Sequence, residues 1–135
     1  MNSEEKYKPK EGHRFIVYID GFPVWLIKSI DLPKELRVKN GKLVSNQLHT
    51  MTLYDPIEPS GTKIVIDHLL NGETKNIKIF MLDTMGEIIE QWIFVEATID
   101  SVDFDTLDWA KDDATNIKIK FMFKEAKFEI KQKEN

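Results

Sequence analysis

The sequence predicts a mainly β protein: an antiparallel β-sandwich or barrel of about seven strands with one short α-helix, Thr62 to Leu70. Three observations predict it. Apolar residues alternate with polar ones at a period of two in several separate stretches, clearest in Ile117, Ile119, Phe121 and Phe123 against Lys118, Lys120, Met122 and Lys124. Glycine and proline turn signals separate those stretches, including Asp20-Gly21, Asn40-Gly41 and Met85-Gly86. One run, TKIVIDHLLNG, departs from strict alternation and sets Ile64 with His68, Val65 with Leu69 and Ile66 with Leu70 at helical spacing.

Residues 1–12 are polar and charged and include Pro9; they bury too little apolar surface to order themselves and are expected to form a flexible arm before a β domain at 13–124. Phe15, Val17 and Ile19 alternate with Ile16, Tyr18 and Asp20, and Asp20-Gly21 is expected to turn this strand into a partner hairpin strand, Val24 to Ile30. Leu32-Pro33 ends that pattern. The lysine-rich stretch Leu36 to Val44 follows as a projecting hairpin with Asn40-Gly41 at its tip. Gln47 to Tyr54 is a further alternating strand, and Asp55-Pro56 and Glu58-Pro59-Ser60-Gly61 make a loop. Ser60 or Thr62 caps the helix and Asn71-Gly72 ends it, although the β-branched Ile64, Val65 and Ile66 leave a strand as the alternative. Asn76 to Leu82 and Glu87 to Asp100 are strands on either side of the turn at Thr84-Met85-Gly86. Apart from Phe128 and Ile130, residues 125–135 read as a charged tail.

An acidic connector carrying Asp100, Asp103, Asp105, Asp108, Asp112 and Asp113 joins the last two strands around Trp109. An indole of that size is costly to leave in water, so Trp109 is expected to pack under the sheet. The connector fails the spacing of an EF-hand, because the ligand position after Asp103 and Asp105 is Leu107 and no glycine makes the turn. Its carboxylates therefore read as solvated or as caps for backbone amides. A hydrolase built on Asp103 or Asp108 lacks any supporting motif. His13, His49 and His68 stand on separate elements without metal-ligand spacing, and no phosphate loop, nucleophile elbow or dinucleotide fingerprint is present. No catalytic residue, cofactor site or metal site is expected.

With 135 residues, a formal charge of -4 and 41% hydrophobic residues, the chain has the composition of a single soluble domain, and its charge disfavours a broad basic nucleic-acid face. Phe121 and Phe123 lie on the opposite strand face from Lys118 and Lys120, so that strand is not a stacking platform for single-stranded nucleic acid. Without cysteine there is no disulfide or thiolate metal site, and no stretch is apolar enough to be a leader or a membrane span, so a soluble cytosolic product is expected.

The order Trp92, hydrophobic strand, Ala97, Ile99, Ser101-Val102, Leu107-Asp108-Trp109, acidic residues and an alternating strand ending Phe121-Met122-Phe123 resembles the C-terminal half of tail tube proteins from contractile-tailed bacteriophages. Ile30-Asp31-Leu32-Pro33, Met51-Thr52-Leu53-Tyr54-Asp55-Pro56 and the run after Pro59 stand in that family's order, so the resemblance covers roughly Phe15 to Phe123. It implies a structural subunit that stacks as homohexameric rings, with strands of neighbouring subunits closing a hollow conduit. The implied partners are other copies of the chain, a sheath protein outside, tape-measure protein and DNA in the lumen without sequence-specific binding, and baseplate proteins, with no membrane. Its implied place is the virion tail, assembled in the host cytoplasm. A baseplate tube initiator and the injected tube of a secretion system share the fold and remain open, and a monomeric ligand-binding β-barrel is the reading from another class. The resemblance also assigns the projection to contact between subunits through Leu36, Val38, Leu43 and Val44, with Leu107, Asp108 and Trp109 as a structural motif. A DNA channel calls for a net negative wall, so the lysine face of Ile117 to Lys124 is expected to look at a neighbour or outward.

Overall fold

The computed structural model describes residues 11–12, 14–110 and 114–131, so most of the expected arm, His13, Asp112, Asp113 and the last four residues of the expected tail lie outside the described residues. Along the chain run β1 (Phe15–Ile19), a 3-10 turn (Val24–Leu26), β2 (Ile27–Ile30), β3 (Arg37–Lys39), β4 (Lys42–Val44) and β5 (His49–Tyr54). Helix α1 (Gly61–Asn71) follows, then β6 (Lys75–Leu82), β7 (Ile88–Phe104), β8 (Asn116–Met122) and β9 (Glu125–Ile130). The protein is thus mainly antiparallel β with a single α-helix among the described residues, as the alternation and the helical spacing in TKIVIDHLLNG predict.

Strand β7 holds two sheets together. One sheet runs in the order β1-β6-β7-β9-β4-β3 and the other in the order β2-β5-β8-β7. Residues 88–97 of β7 lie between β6 and β9, whereas Thr98 to Phe104 pair with β8. β8 and β9 run in succession antiparallel to β7, meeting where the Lys124 amide donates to the Val95 carbonyl at 2.9 Å. At this corner Glu96 adopts a left-handed φ of 50°, and its amide donates to Asn76 Oδ1 at 3.0 Å. The register shifts again between Ile99 and Ser101. These irregularities bend the long strand so that its two halves serve different sheets.

The core fills the space between the sheets with Val17, Ile77, Ile79 and Phe94 from one and Met51, Leu53, Ile117, Ile119 and Phe121 from the other. At the corner the Phe94 and Phe123 rings stack at 4.6 Å, and His49 stacks on Phe123 at 4.9 Å. Helix α1 buries Val65 and sets His68 edge-on against Phe22 at 5.5 Å. Ser60 caps it by accepting from the Lys63 amide at 3.2 Å, the Asp55 carboxylate accepts from both the amide and the hydroxyl of Thr62, and Gly72 closes it in the left-handed conformation (φ 66°).

Three expectations are corrected. Phe15 to Ile30 is not a hairpin: β1 pairs with β6 and β2 with β5, and the turn at Gly21 followed by the 3-10 turn carries the chain from one sheet to the other. Glu125 to Ile130, expected as tail, is strand β9, because Ala126, Phe128 and Ile130 alternate with Lys127 and Glu129 and the backbone finds partners along β7. With the short strands β3 and β4, this raises the strand number to nine among the described residues. Trp109 is fully exposed instead of lying under the sheet, because β8 buries its own inward Ile117, Ile119 and Phe121 within the core without cover from the loop.

Candidate assembly surfaces

The second sheet ends in unpaired edges on both sides. Among the described residues β2 pairs only with β5, and the Thr98 to Phe104 half of β7 pairs only with β8, which leaves a row of amides and carbonyls at each edge. The registers set Ser29 beside Thr52, Thr52 beside Lys118, Thr50 beside Lys120, and Lys118 and Lys120 beside Asp103 and Ser101. These side chains point away from the core because Met51, Leu53, Ile117 and Ile119 point into it. The outward face is polar across its middle, with Tyr54 and Met122 exposed at its ends and the Lys28 ammonium 5.7 Å from the Tyr54 ring centre.

The projection forms as the Asn40-Gly41 signal requires: Asn40 (φ 53°) and Gly41 (φ 75°) both take positive φ, Val38 faces Leu43, and β4 docks on β9 through Leu43 and Ala126. Its four expected contact residues divide. Val38 is 74% exposed, Leu36 and Leu43 are half-buried against the core, and Val44 is half-buried. Lys34, Lys39 and Lys42 make no ion pair among the described residues, whereas Arg37 pairs with Glu35 at 3.1 Å.

The Leu107-Asp108-Trp109 motif forms an exposed loop. Asp105 anchors its base by accepting from the Asn116 amide at 2.7 Å, and Asp108 accepts from the Ala110 amide at 3.0 Å, so two of the carboxylates satisfy backbone donors. Leu107 is 88% exposed beside the fully exposed Trp109. Helix α1 leaves Ile66, Leu69 and Leu70 exposed, a stripe that a helical periodicity argument assigns to packing. The free edges also escape sequence reasoning, since no local pattern states which strand lacks a neighbour.

The described residues contain no group of three or more His, Asp or Glu side chains able to hold a metal ion, and no helix long and apolar enough to cross a membrane. His49 lies buried among Phe94, Phe121 and Phe123 with its Nε2 unpartnered, and burial lowers its pKa against a smaller opposing effect of Asp31. His68 is lowered too, by burial and then by Lys75, with Glu73 opposing. Between the sheets a cavity of about 20 Å³, bordered by Met51, Ile119 and Phe121, is far too small for an organic ligand. An open groove of about 850 Å³ runs beside β1, bordered by Tyr18, Phe22, Val24 and Lys75.

No family model and no curated protein matches the chain. Solved structures do. A chain of an extracellular contractile injection system, the PVC sheath–tube complex in the extended state, aligns with a TM-score of 0.67 at 19% identity, covering 96% of this chain and 99% of that one. A chain of the anti-feeding prophage cap, which terminates its tube, aligns at 0.62 and 17% identity over 92% and 93%. Hcp1 from Flavobacterium johnsoniae aligns at 0.56 and 12% identity over 90% and 99%. The chain therefore shares its overall fold with an Hcp protein and with components of contractile injection systems.

Proposed function

We propose that the chain is a structural subunit that closes into hexameric rings and stacks into a hollow tube, in a phage tail or a contractile injection system. One observation carries this reading: the second sheet has free edges at β2 and at Thr98 to Phe104, and its outward face is polar. Edge pairing between copies removes both liabilities, and cyclic symmetry lets every copy do it alike. Four strands from each of six copies, about 4.8 Å apart, give a wall about 115 Å around. The polar face lines the conduit, since it offers no apolar centre for a protein contact. Sheath outside, baseplate at one end and tape-measure protein or cargo within belong to the same reading, as does assembly in a host cytoplasm.

This arrangement turns Lys28, Lys118 and Lys120 toward the lumen with Asp103, against the expectation that the lysine face looks at a neighbour or outward. A wall of that charge holds phosphates instead of repelling them, which favours an injected tube passing protein over a genome conduit. Light scattering behind gel filtration, with negative-stain microscopy, tests the reading. Rings or tubes support it, and a 15.8 kDa monomer at every concentration up to the solubility limit overturns it.

A further inference from the structure

Two exposed devices of opposite charge stand far apart on the same chain. The segment from Lys34 to Lys42 carries four basic residues against one acidic, with Val38 uncovered near its tip. The loop from Asp105 to Ala110 carries Asp105 and Asp108 and no basic residue, with Leu107 and Trp109 uncovered. The hairpin joins the fold at Ala126, opposite Phe94, whereas the loop leaves the far end of β7 after Phe104. Between the two attachment points β7 runs from Phe94 to Phe104 through its bend at Glu96. Neither device neutralises the other within one molecule: Lys34, Lys39 and Lys42 make no ion pair among the described residues, and neither does Asp108.

We propose that the Leu107-Trp109 loop of one copy docks on the β3–β4 hairpin of the next. The indole and Leu107 cover Val38 and the aliphatic stems of Lys39 and Lys42, a cationic side chain lies over the indole face, and loop carboxylates meet the lysines around them. The occupant is a second copy of this chain because the two surfaces are complementary in charge and each leaves its apolar residues uncovered. Their attachment at different places along β7, the corner at Phe94 and the end at Phe104, makes the contact heterologous, each copy offering a loop to one neighbour and a hairpin to another. The contact repeats along a ring or stack without self-limiting as a two-fold dimer. It rests on the tube reading and deepens it, since it names the receiving surface that the hairpin lacks.

Charge exchange tests the contact. D108K reverses the exposed carboxylate of the loop and K39E reverses a lysine of the hairpin, and circular dichroism confirms that each variant folds. Each variant alone is expected to need about tenfold more protein than wild type before sedimenting assemblies form, because attraction becomes repulsion at the contact. An equimolar mixture is expected to assemble near the wild-type concentration, since each reversed surface then meets its complement. Trp109→Ala, which alters no charge, is expected to raise the threshold about 30-fold. Wild-type assembly with either charge variant, or a mixture of folded variants that stays unassembled, overturns the proposal. No assembly by the wild-type protein under any condition overturns the tube reading itself and this contact with it.

Discussion

Phe94→Ala is expected to remove about 4–5 kcal/mol of stability. The side chain is fully buried at the corner of the two sheets, two residues before the left-handed Glu96. Truncating a buried phenylalanine costs about 3–5 kcal/mol through lost transfer energy and the cavity left behind. The upper part of that range applies here, because Phe94 stacks on Phe123 at 4.6 Å and meets Phe121 at 6.0 Å and Trp92 at 6.3 Å, pair contacts worth about 0.5–1.5 kcal/mol beyond their area. A domain of this size has roughly 7–20 kcal/mol in total, so the variant stays folded in water but melts roughly 10–20 °C lower. Urea unfolding followed by tryptophan fluorescence, at protein concentrations below any assembly, measures the loss with the slope m as a check on the unfolded state. Trp109→Ala is the internal control and should change monomer stability by less than about 0.5 kcal/mol, since that ring touches water on all sides. A Phe94→Ala loss below about 2 kcal/mol, or a larger loss for Trp109→Ala, refutes the assignment of the corner as core and the loop as surface.

Gly61→Ala should destabilise by about 1–3 kcal/mol in the same assay, because a Cβ there meets the Tyr54 carbonyl oxygen at 2.8 Å and the Asp55 Cα at 3.2 Å, neither of which yields easily. Asp55→Ala should cost about 1–2 kcal/mol by leaving the Thr62 amide without its acceptor, and Asp55→Asn should recover part of it. His49 and His68 both have pKa values below the ordinary 6.5, so the folded state favours their neutral forms; their contribution is complete above pH 6.5 and is lost as pH falls from there toward the folded values. Urea midpoints from pH 7.5 to 5.0 should therefore decline, and H49L/H68Q should flatten the decline.

Much of the fold is legible because its signals are local. The alternation of buried Val17, Ile77, Ile79, Ile117 and Ile119 with exposed neighbours, the caps at Ser60 and Gly72, and the paired positive φ values at Asn40 and Gly41 follow from residues within a few positions of one another. β9 escapes because its three small or apolar residues are diluted by Lys127 and Glu129, and only pairing with distant β7 decides its state. The Glu96 bend has no local signature: nothing about a glutamate announces a left-handed backbone, and Asn76, which receives its amide, is twenty residues away. Trp109 shows a different failure. The cost of exposing an indole is legible, but assigning its cover to the same chain assumes a self-sufficient molecule.

The same assumption hides the candidate surfaces, and the second sheet shows why an assembly resolves them together. Its outward face presents Ser29, Thr50, Thr52, Ser101, Lys118 and Lys120, which return little hydrophobic free energy on burial, so no protein layer is driven onto it and it stays wet. Its edges have the opposite character, because each row of unpaired backbone groups is a template for another strand. A sheet that attracts strands at both sides but repels cover on its face grows sideways, and the twist of its strands together with the packing of the first sheet behind it turns that growth into a curve. In the proposed ring, closing the curve with the wet face inward leaves the first sheet, the hairpin and the loop to meet neighbours. Folding therefore leaves Val38 and Trp109 in water within one molecule, and it is the proposed contact between copies that would cover them.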